Sequence, residues 1–311
     1  MNILITGATG FIGKALVKEL LQKDFNLTIV LRKKSDLFVN NINKIIVGDF
    51  NNVIDWSLIL KNIDCIIHLA SKVHLSNFKT KSVLDEINNV NVKSTLDLAT
   101  QASNSGVKRF IFISSIGVNG NQNNKILSEN DIPNPLGPYA ISKYNAEKGL
   151  LNLAKNSNLE IVIIRPATVY GRDAPGNFGK LLNWVNARYP LPLPFGAINN
   201  SRSYLALDNL VNFILVCIKH EKASNEVFLL SDDNDLSTTQ LLKNILKIYK
   251  KKTILLPVPV NLMFFISKLL GKKIYSLRLF SSLRINNSKA RKLLGWRPIV
   301  KMEDQLKPLK K

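Results

Sequence analysis

With two cysteines and three histidines in 311 residues, the chain is poor in the residue types that staple small folds or hold transition metals. Cys65 and Cys217 lie far apart in apolar surroundings. That excludes a disulfide scaffold, and both read as small core residues. His68 and His74 share no metal-ligand spacing with each other or with a cysteine, so both read as structural and no metal is expected. No stretch reaches the roughly twenty apolar residues that span a bilayer, and Met1 leads straight into a strand without a leader. The expected location is the cytosol. Internal repeats and low-complexity tracts are also missing.

Acidic residues are scarce, 22 against 43 Lys and Arg, leaving a formal net charge of +21. Such a balance admits nucleic acid, an anionic membrane or an anionic substrate as partner. Lysine is scattered and not interleaved with aromatics, which argues against nucleic acid. A Lys- and Asn-rich solvated surface and the steering of anionic nucleotides account for the charge. Residues 261–271 leave room for a membrane-surface contribution, although the same pattern suits a helix packed on the core.

What the sequence does have is concentrated at its start. Residues 2–6 read as a short buried strand, and Gly7, Gly10 and Gly13 turn it into a helix whose Ile12, Ala15, Leu16 and Leu20 recur at helical spacing. These glycines meet three needs: a tight turn, close approach of backbone N–H groups to a pyrophosphate, and close helix-on-strand packing. Gly7, Gly10, Phe11, Ile12 and Gly13 are therefore candidate dinucleotide contacts. The second strand, 27–31, ends in Arg32 and Lys33. These cations suit the 2′-phosphate of NADP better than the bare ribose of NAD, where an acidic residue is the usual partner. Strand three, 44–48, delivers Asp49 and Phe50 to bracket an adenine; strand four, 64–68, delivers Leu69 and Ala70 to the cofactor's path. Asn91, on a helix from about 82 to 103, is a further candidate to reach the cofactor.

Strand five, 109–113, stops at Ser114-Ser115, and Pro138 opens a helix that puts Tyr139 and Lys143 on one face, one turn apart. A phenol titrates near 10, too high for a well-matched proton donor at neutral pH. An ammonium about 4 Å away at an effective dielectric of about 20 favours the phenolate by about 4 kcal/mol, roughly three pKa units before desolvation. Ser115, Tyr139 and Lys143 are the expected catalytic set, with Ser115 holding the substrate oxygen. Strand six, 159–165, is expected to end the parallel sheet. Loop runs at 173–177 and 190–194 line a substrate cleft, and Ser237 and Ser288 cap later helices.

The stretches Thr6 to Gly13, Asp49, His68 to Ala70, Asn91-Val92, Ser114-Ser115, Tyr139 to Lys143, Arg165-Pro166, Tyr170-Gly171, Arg202 to Tyr204 and Lys289 to Pro298 carry a resemblance that covers nearly the whole chain. The sequence resembles the extended short-chain dehydrogenase/reductases, within them the sugar-nucleotide 4-epimerases and 4-ketoreductases. That likeness implies an α/β fold, a doubly wound parallel Rossmann sheet over residues 1–170 and a smaller substrate domain over 171–311, with part of 200–220 packing back on the first. It also implies Pro166 beside the nicotinamide, Arg202 on the nucleotide diphosphate, and a homodimer through the helices at 82–103 and 139–155. Asn177 is a candidate donor to the diphosphate. The related 4,6-dehydratases carry an Asp-Glu pair where this chain has Ile116 and Gly117, so dehydration is not expected. Asn119 and Ser94 depart from the epimerase pattern, and Arg32-Lys33 suits NADP. The expectation is reduction of a UDP-linked 4-keto-6-deoxy-N-acetylhexosamine for surface polysaccharide, with 4-epimerisation as the alternative and a non-catalytic NADP sensor behind both.

Overall fold

The computed structural model describes residues 1–38, 42–73, 81–122, 125–187, 191–269 and 279–307. His74, Pro190, Leu270 and Gly271 lie outside these residues.

Seven strands form one parallel sheet: β1 (Asn2–Thr6), β2 (Asn26–Leu31), β3 (Asn43–Ile46), β4 (Cys65–His68), β5 (Arg109–Ile113), β7 (Glu160–Pro166) and β10 (Glu226–Leu230). Their order, β10-β7-β5-β4-β1-β2-β3, reverses between β1 and β4, the switch point where doubly wound sheets hold ligands. A parallel sheet must be covered on both faces, and the strand sequences follow that need: Ile3, Leu4, Ile5, Phe110, Ile111 and Ile161 to Ile164 are all fully buried. Alternation divides them. Ile3 and Ile5 pack under α1 (Phe11–Leu20) and α6 (Leu207–Lys219), while Leu4, Phe110 and Phe112 pack under α3 (Ser94–Asn104) and α4 (Pro138–Lys155). A third core joins Tyr170, Phe178, Leu182, Tyr204, Leu241 and Ile245, drawn from α5 (Gly176–Asn186), α7 (Thr238–Ile248) and the short parallel pair β8 (Thr168–Tyr170) and β9 (Tyr204–Ala206).

Four expectations need correction. The sheet does not end at residue 165: β10 adds a seventh strand, pairing Glu226 to Leu230 with Val162 to Pro166. Its half-open pattern, with only Phe228 to Leu230 buried, hid it among polar neighbours. The helix expected over 82–103 is α2 (Lys81–Asn88), a π-turn at Asn89–Lys93, then α3. Such an insertion redirects one side chain inward, and here it buries Asn91 completely. The run at 173–177 is shortened because α5 already begins at Gly176. Ser237 does cap α7, in a reciprocal box with Gln240. The cap position of the helix Ser288–Leu294 is Asn287 rather than Ser288, and Gly295, at φ 66°, closes it.

Candidate active site

All strands run the same way, so their carboxyl ends share one edge, and that edge collects the turn after β1, Arg32 and Lys33 after β2, Asp49 after β3, Leu69 after β4, Ser115 after β5 and Pro166 on β7. The first turn leaves no room for side chains. Gly7 sits at φ +71°, and a Cβ there would lie 2.7 Å from the Ala70 nitrogen; at Gly13 it would lie 2.3 Å from the Gly7 oxygen. Gly10 caps α1 from an extended conformation, and α1 has no acidic residue in its first turn. Its unpaired N–H groups would therefore receive an anion with no competing carboxylate, and the cradle fits a dinucleotide pyrophosphate. The Phe11 and Ile12 side chains pack against the core, which leaves only their main chain to offer a ligand. Gly13→Ala is expected to cost about 1–3 kcal/mol in overpacking. Thermal denaturation with and without NAD checks this, since the ligand-induced rise should also disappear.

Leu69 and Ala70 are pinned to β1 by N–H donation to the Thr6 carbonyl and hydroxyl, each 3.2 Å. Arg32 and Lys33 are exposed just past β2. Asp49 is exposed and accepts from the Asn51 N–H at 2.9 Å. Phe50, expected to offer a ring face to adenine, instead packs in the core with its centroid 6.0 Å from Trp56. Burying the ring is worth more than exposing it at a rim. Nor is Asn91 free to reach a cofactor. Its oxygen accepts from the Lys72 N–H at 2.7 Å and the Ser71 hydroxyl at 3.3 Å, and its amide donates to the Lys72 carbonyl at 3.1 Å and the Ser142 hydroxyl at 3.0 Å. The π-turn thus ties the loop after β4 to α4.

Ser115 stands in extended conformation and its hydroxyl accepts from the Gly117 N–H at 3.1 Å. A Cβ on Gly117 would sit 3.3 Å from that hydroxyl and 3.5 Å from Ala140, so a bare glycine lets the turn after β5 close on α4 beside Tyr139. Burial pushes the Tyr139 phenol up to about 12, and a hydrogen bond with Ser71 works against it. Burial lowers the Lys143 ammonium to about 7, and the Glu147 carboxylate pulls the other way. The lowering of the phenol by its lysine, expected from the spacing, is not found. Desolvation of a phenolate dominates, and the amine points elsewhere, donating to the Ile113 carbonyl at 2.8 Å and lying 4.4 Å over the Phe112 ring.

One residue that no motif in the sequence marks, Glu147, completes the surroundings. Glu147, two turns beyond Tyr139 on α4, grips Arg165 of β7 through contacts of 2.6 to 3.2 Å, and Arg165 donates to Asn119 at 2.9 Å. The spacing Tyr139, Lys143, Glu147 was visible; its buried arginine partner was not. His68 is structural, as its isolation in the sequence implies: its ring bridges the Thr6 and Thr95 hydroxyls at 2.9 and 3.0 Å. Burial lowers it to about 3, with the Lys143 charge acting in the same direction. Between pH 6.5 and 3 the unfolded chain binds a proton that the folded one refuses, so stability falls on acidification across that window, by up to about 1.4 kcal/mol per unit. Urea midpoints at several acidic pH values should show this slope, flattened in His68→Gln.

Two expected residues lie in the C-terminal half of the chain. Asn177 is exposed in the first turn of α5, and Arg202, half-buried, donates to the Ser281 carbonyl at 2.9 Å. A cavity of about 800 Å³ lined by Tyr170, Tyr204, Arg297 and Met302 includes none of the expected site residues; its Tyr170 hydroxyl is engaged by Asp232 at 2.7 Å.

A glycine cradle at the switch point, with Ser, Tyr and Lys at the neighbouring strand edge, defines a dinucleotide-dependent enzyme of the short-chain dehydrogenase type. The family model "NAD dependent epimerase/dehydratase family" matches residues 3–231, and the chain belongs to that family. It is 40% identical over 312 aligned residues to a UDP-glucose 4-epimerase of Vibrio cholerae, spanning 98% of this chain and 93% of that one. It is 30% identical to an N-acetyl-alpha-D-glucosaminyl-diphospho-ditrans,octacis-undecaprenol 4-epimerase of Escherichia coli O157:H7, over 88% and 82% of the two chains. Among solved structures, the UDP-glucose 4-epimerase of Thermotoga maritima with UDP-glucose superposes with a TM-score of 0.76 at 26% identity, covering 99% and 96%. A UDP-glucuronic acid 4-epimerase from Bacillus cereus with NAD, at 23% identity and TM-score 0.79 over 98% and 96%, shares the fold. Among the described residues no helix is long and apolar enough to cross a membrane.

Proposed function

We propose that this chain is a UDP-sugar 4-epimerase. The 40% identity to the Vibrio cholerae UDP-glucose 4-epimerase, along nearly the full length of both chains, carries the reading. It favours epimerisation over the expected 4-ketoreductase, which rests on the fit of Arg32 and Lys33 to NADP, on Asn119 and Ser94 departing from the epimerase pattern and on likeness of the C-terminal half, whereas the family is named for NAD. When bound, NAD supplies a hydride acceptor for C4 and a cationic ring. With that positive charge offsetting the burial that holds its phenol near 12 in the free protein, Tyr139 would take the proton from O4 as the C4 ketone forms and return it after the sugar has turned over. Ser115 holds that oxygen by a hydrogen bond. Lys143 ties α4, the helix that carries Tyr139, to the Ile113 carbonyl at the end of β5, two residues before Ser115. With Ile116 and Gly117 following Ser115, no carboxyl pair stands there to remove water. The homodimer through α2, α3 and α4 belongs to the same proposal; Leu84 and Ile141 are exposed on those helices.

Proton NMR of UDP-glucose and UDP-N-acetylglucosamine incubated with the protein and NAD tests the reading. The galacto epimer should accumulate to equilibrium with no net change in reduced cofactor. Reduction with NADPH remains a second reading because Arg32 and Lys33 lie exposed beyond β2. Stoichiometric NADPH consumption with a 4-keto sugar nucleotide, and no epimer, would establish it instead.

A further inference from the structure

The helix α8 (Val260–Leu269) repeats apolar residues at positions 262, 265, 266 and 269, the spacing that normally turns toward a core. Here it turns outward. Leu262, Phe265, Ile266 and Leu269 are 49%, 59%, 46% and 72% exposed, and Met263 is the helix's buried residue. The segment just before the helix is also apolar and open. Ile254 and Leu256 are also exposed, and the Leu256 N–H is fixed to the Leu193 carbonyl at 2.8 Å. The equivalent stripe of α7, Leu241, Leu242, Ile245 and Leu246, is buried, so the outward face of α8 is not a general looseness of this region.

Charge accompanies the helix along the sequence. Fifteen of the 43 Lys and Arg, and none of the 22 Asp and Glu, fall between residues 236 and 302. The scatter of lysine expected from the sequence therefore conceals a cationic, acid-free segment that contains α8. Lys268 stands in the last turn of the helix, and Lys243, Lys247, Lys250 and Lys252 are exposed on and after α7.

We propose that α8 and the segment before it dock this protein on an anionic phospholipid surface, with the apolar stripe entering the headgroup boundary and the lysines meeting lipid phosphates. An outward apolar stripe flanked by lysine is the pattern of helices that lie in the plane of a membrane interface. A second copy of the chain is the poorer occupant, since a two-fold contact would bring two copies of an acid-free, cationic segment together. The inference rests on exposure and charge and is independent of the epimerase reading.

Co-sedimentation of the full chain with vesicles of phosphatidylcholine, with and without phosphatidylglycerol, tests it. Binding is expected to the anionic vesicles, to weaken with added salt, and to drop by about tenfold or more in the double variant Phe265→Glu with Leu269→Glu. These residues are exposed, so the variant should keep the wild-type circular dichroism and melting temperature. Three results would overturn the proposal: no binding to anionic vesicles, equal binding by the double variant, or a concentration-dependent dimer in sedimentation that the double variant abolishes.

Discussion

Tyr139→Phe is expected to lower turnover by about 10²–10⁴-fold, the usual contribution of a positioned proton-transfer group, while NAD affinity stays near normal. The change removes one hydroxyl and keeps the ring, so the packing of α4 against β5 and β7 is preserved. The cradle formed by Gly7, Gly10 and Gly13 lies on a different element and is untouched. The hydroxyl's partner in the resting enzyme is Ser71, not the lysine, and burial holds the phenol near 12. Steady-state rates beside NAD titrations separate the two effects: a rate close to wild type would remove the phenol from the chemistry, whatever the binding data show.

Glu147→Ala should produce the largest loss of stability of any single change at the site, about 3–5 kcal/mol. Glu147 and Arg165 have side-chain exposures of 1% and 6%, so truncation leaves a guanidinium uncompensated in the interior. Asn119 cannot take over, because it already receives Arg165 through its oxygen and its own amide nitrogen is buried without a partner. Denaturant titration measures the loss. Glu147→Gln, which keeps the shape and part of the hydrogen bonding, should recover a portion of it. Both variants also remove the carboxylate that opposes the lowering of Lys143.

The parallel sheet, the glycine turn and the positions of Ser115, Tyr139 and Lys143 were legible in the sequence because each depends on local pattern: an apolar run, a glycine spacing, an i to i+4 pair. What escaped depends on partners distant in sequence. β10 presents three buried residues and becomes a strand only because β7 offers it an edge. Phe50 read as a ring for adenine until Trp56 claimed it. Asn91 looked like a solvent or cofactor contact, and the π-turn that buries it leaves no mark in a hydrophobic pattern. The acidity of Tyr139 was misjudged for a related reason: spacing places Lys143 one turn away, but the direction of its amine is set by the Ile113 carbonyl and the Phe112 ring on β5. The reaction was less legible still. Reductase and epimerase need the same serine, tyrosine and lysine and differ in whether reduced cofactor leaves between half-reactions, which no local motif records.

That difference can be measured directly with UDP-glucose carrying deuterium at C4, incubated with the protein, NAD and an excess of unlabelled NADH. An enzyme that keeps its cofactor through both half-reactions delivers UDP-galactose with the deuterium still at C4, and this is the expected result. Loss of the label to the NADH pool, or consumption of NADH without a labelled epimer, would contradict the account.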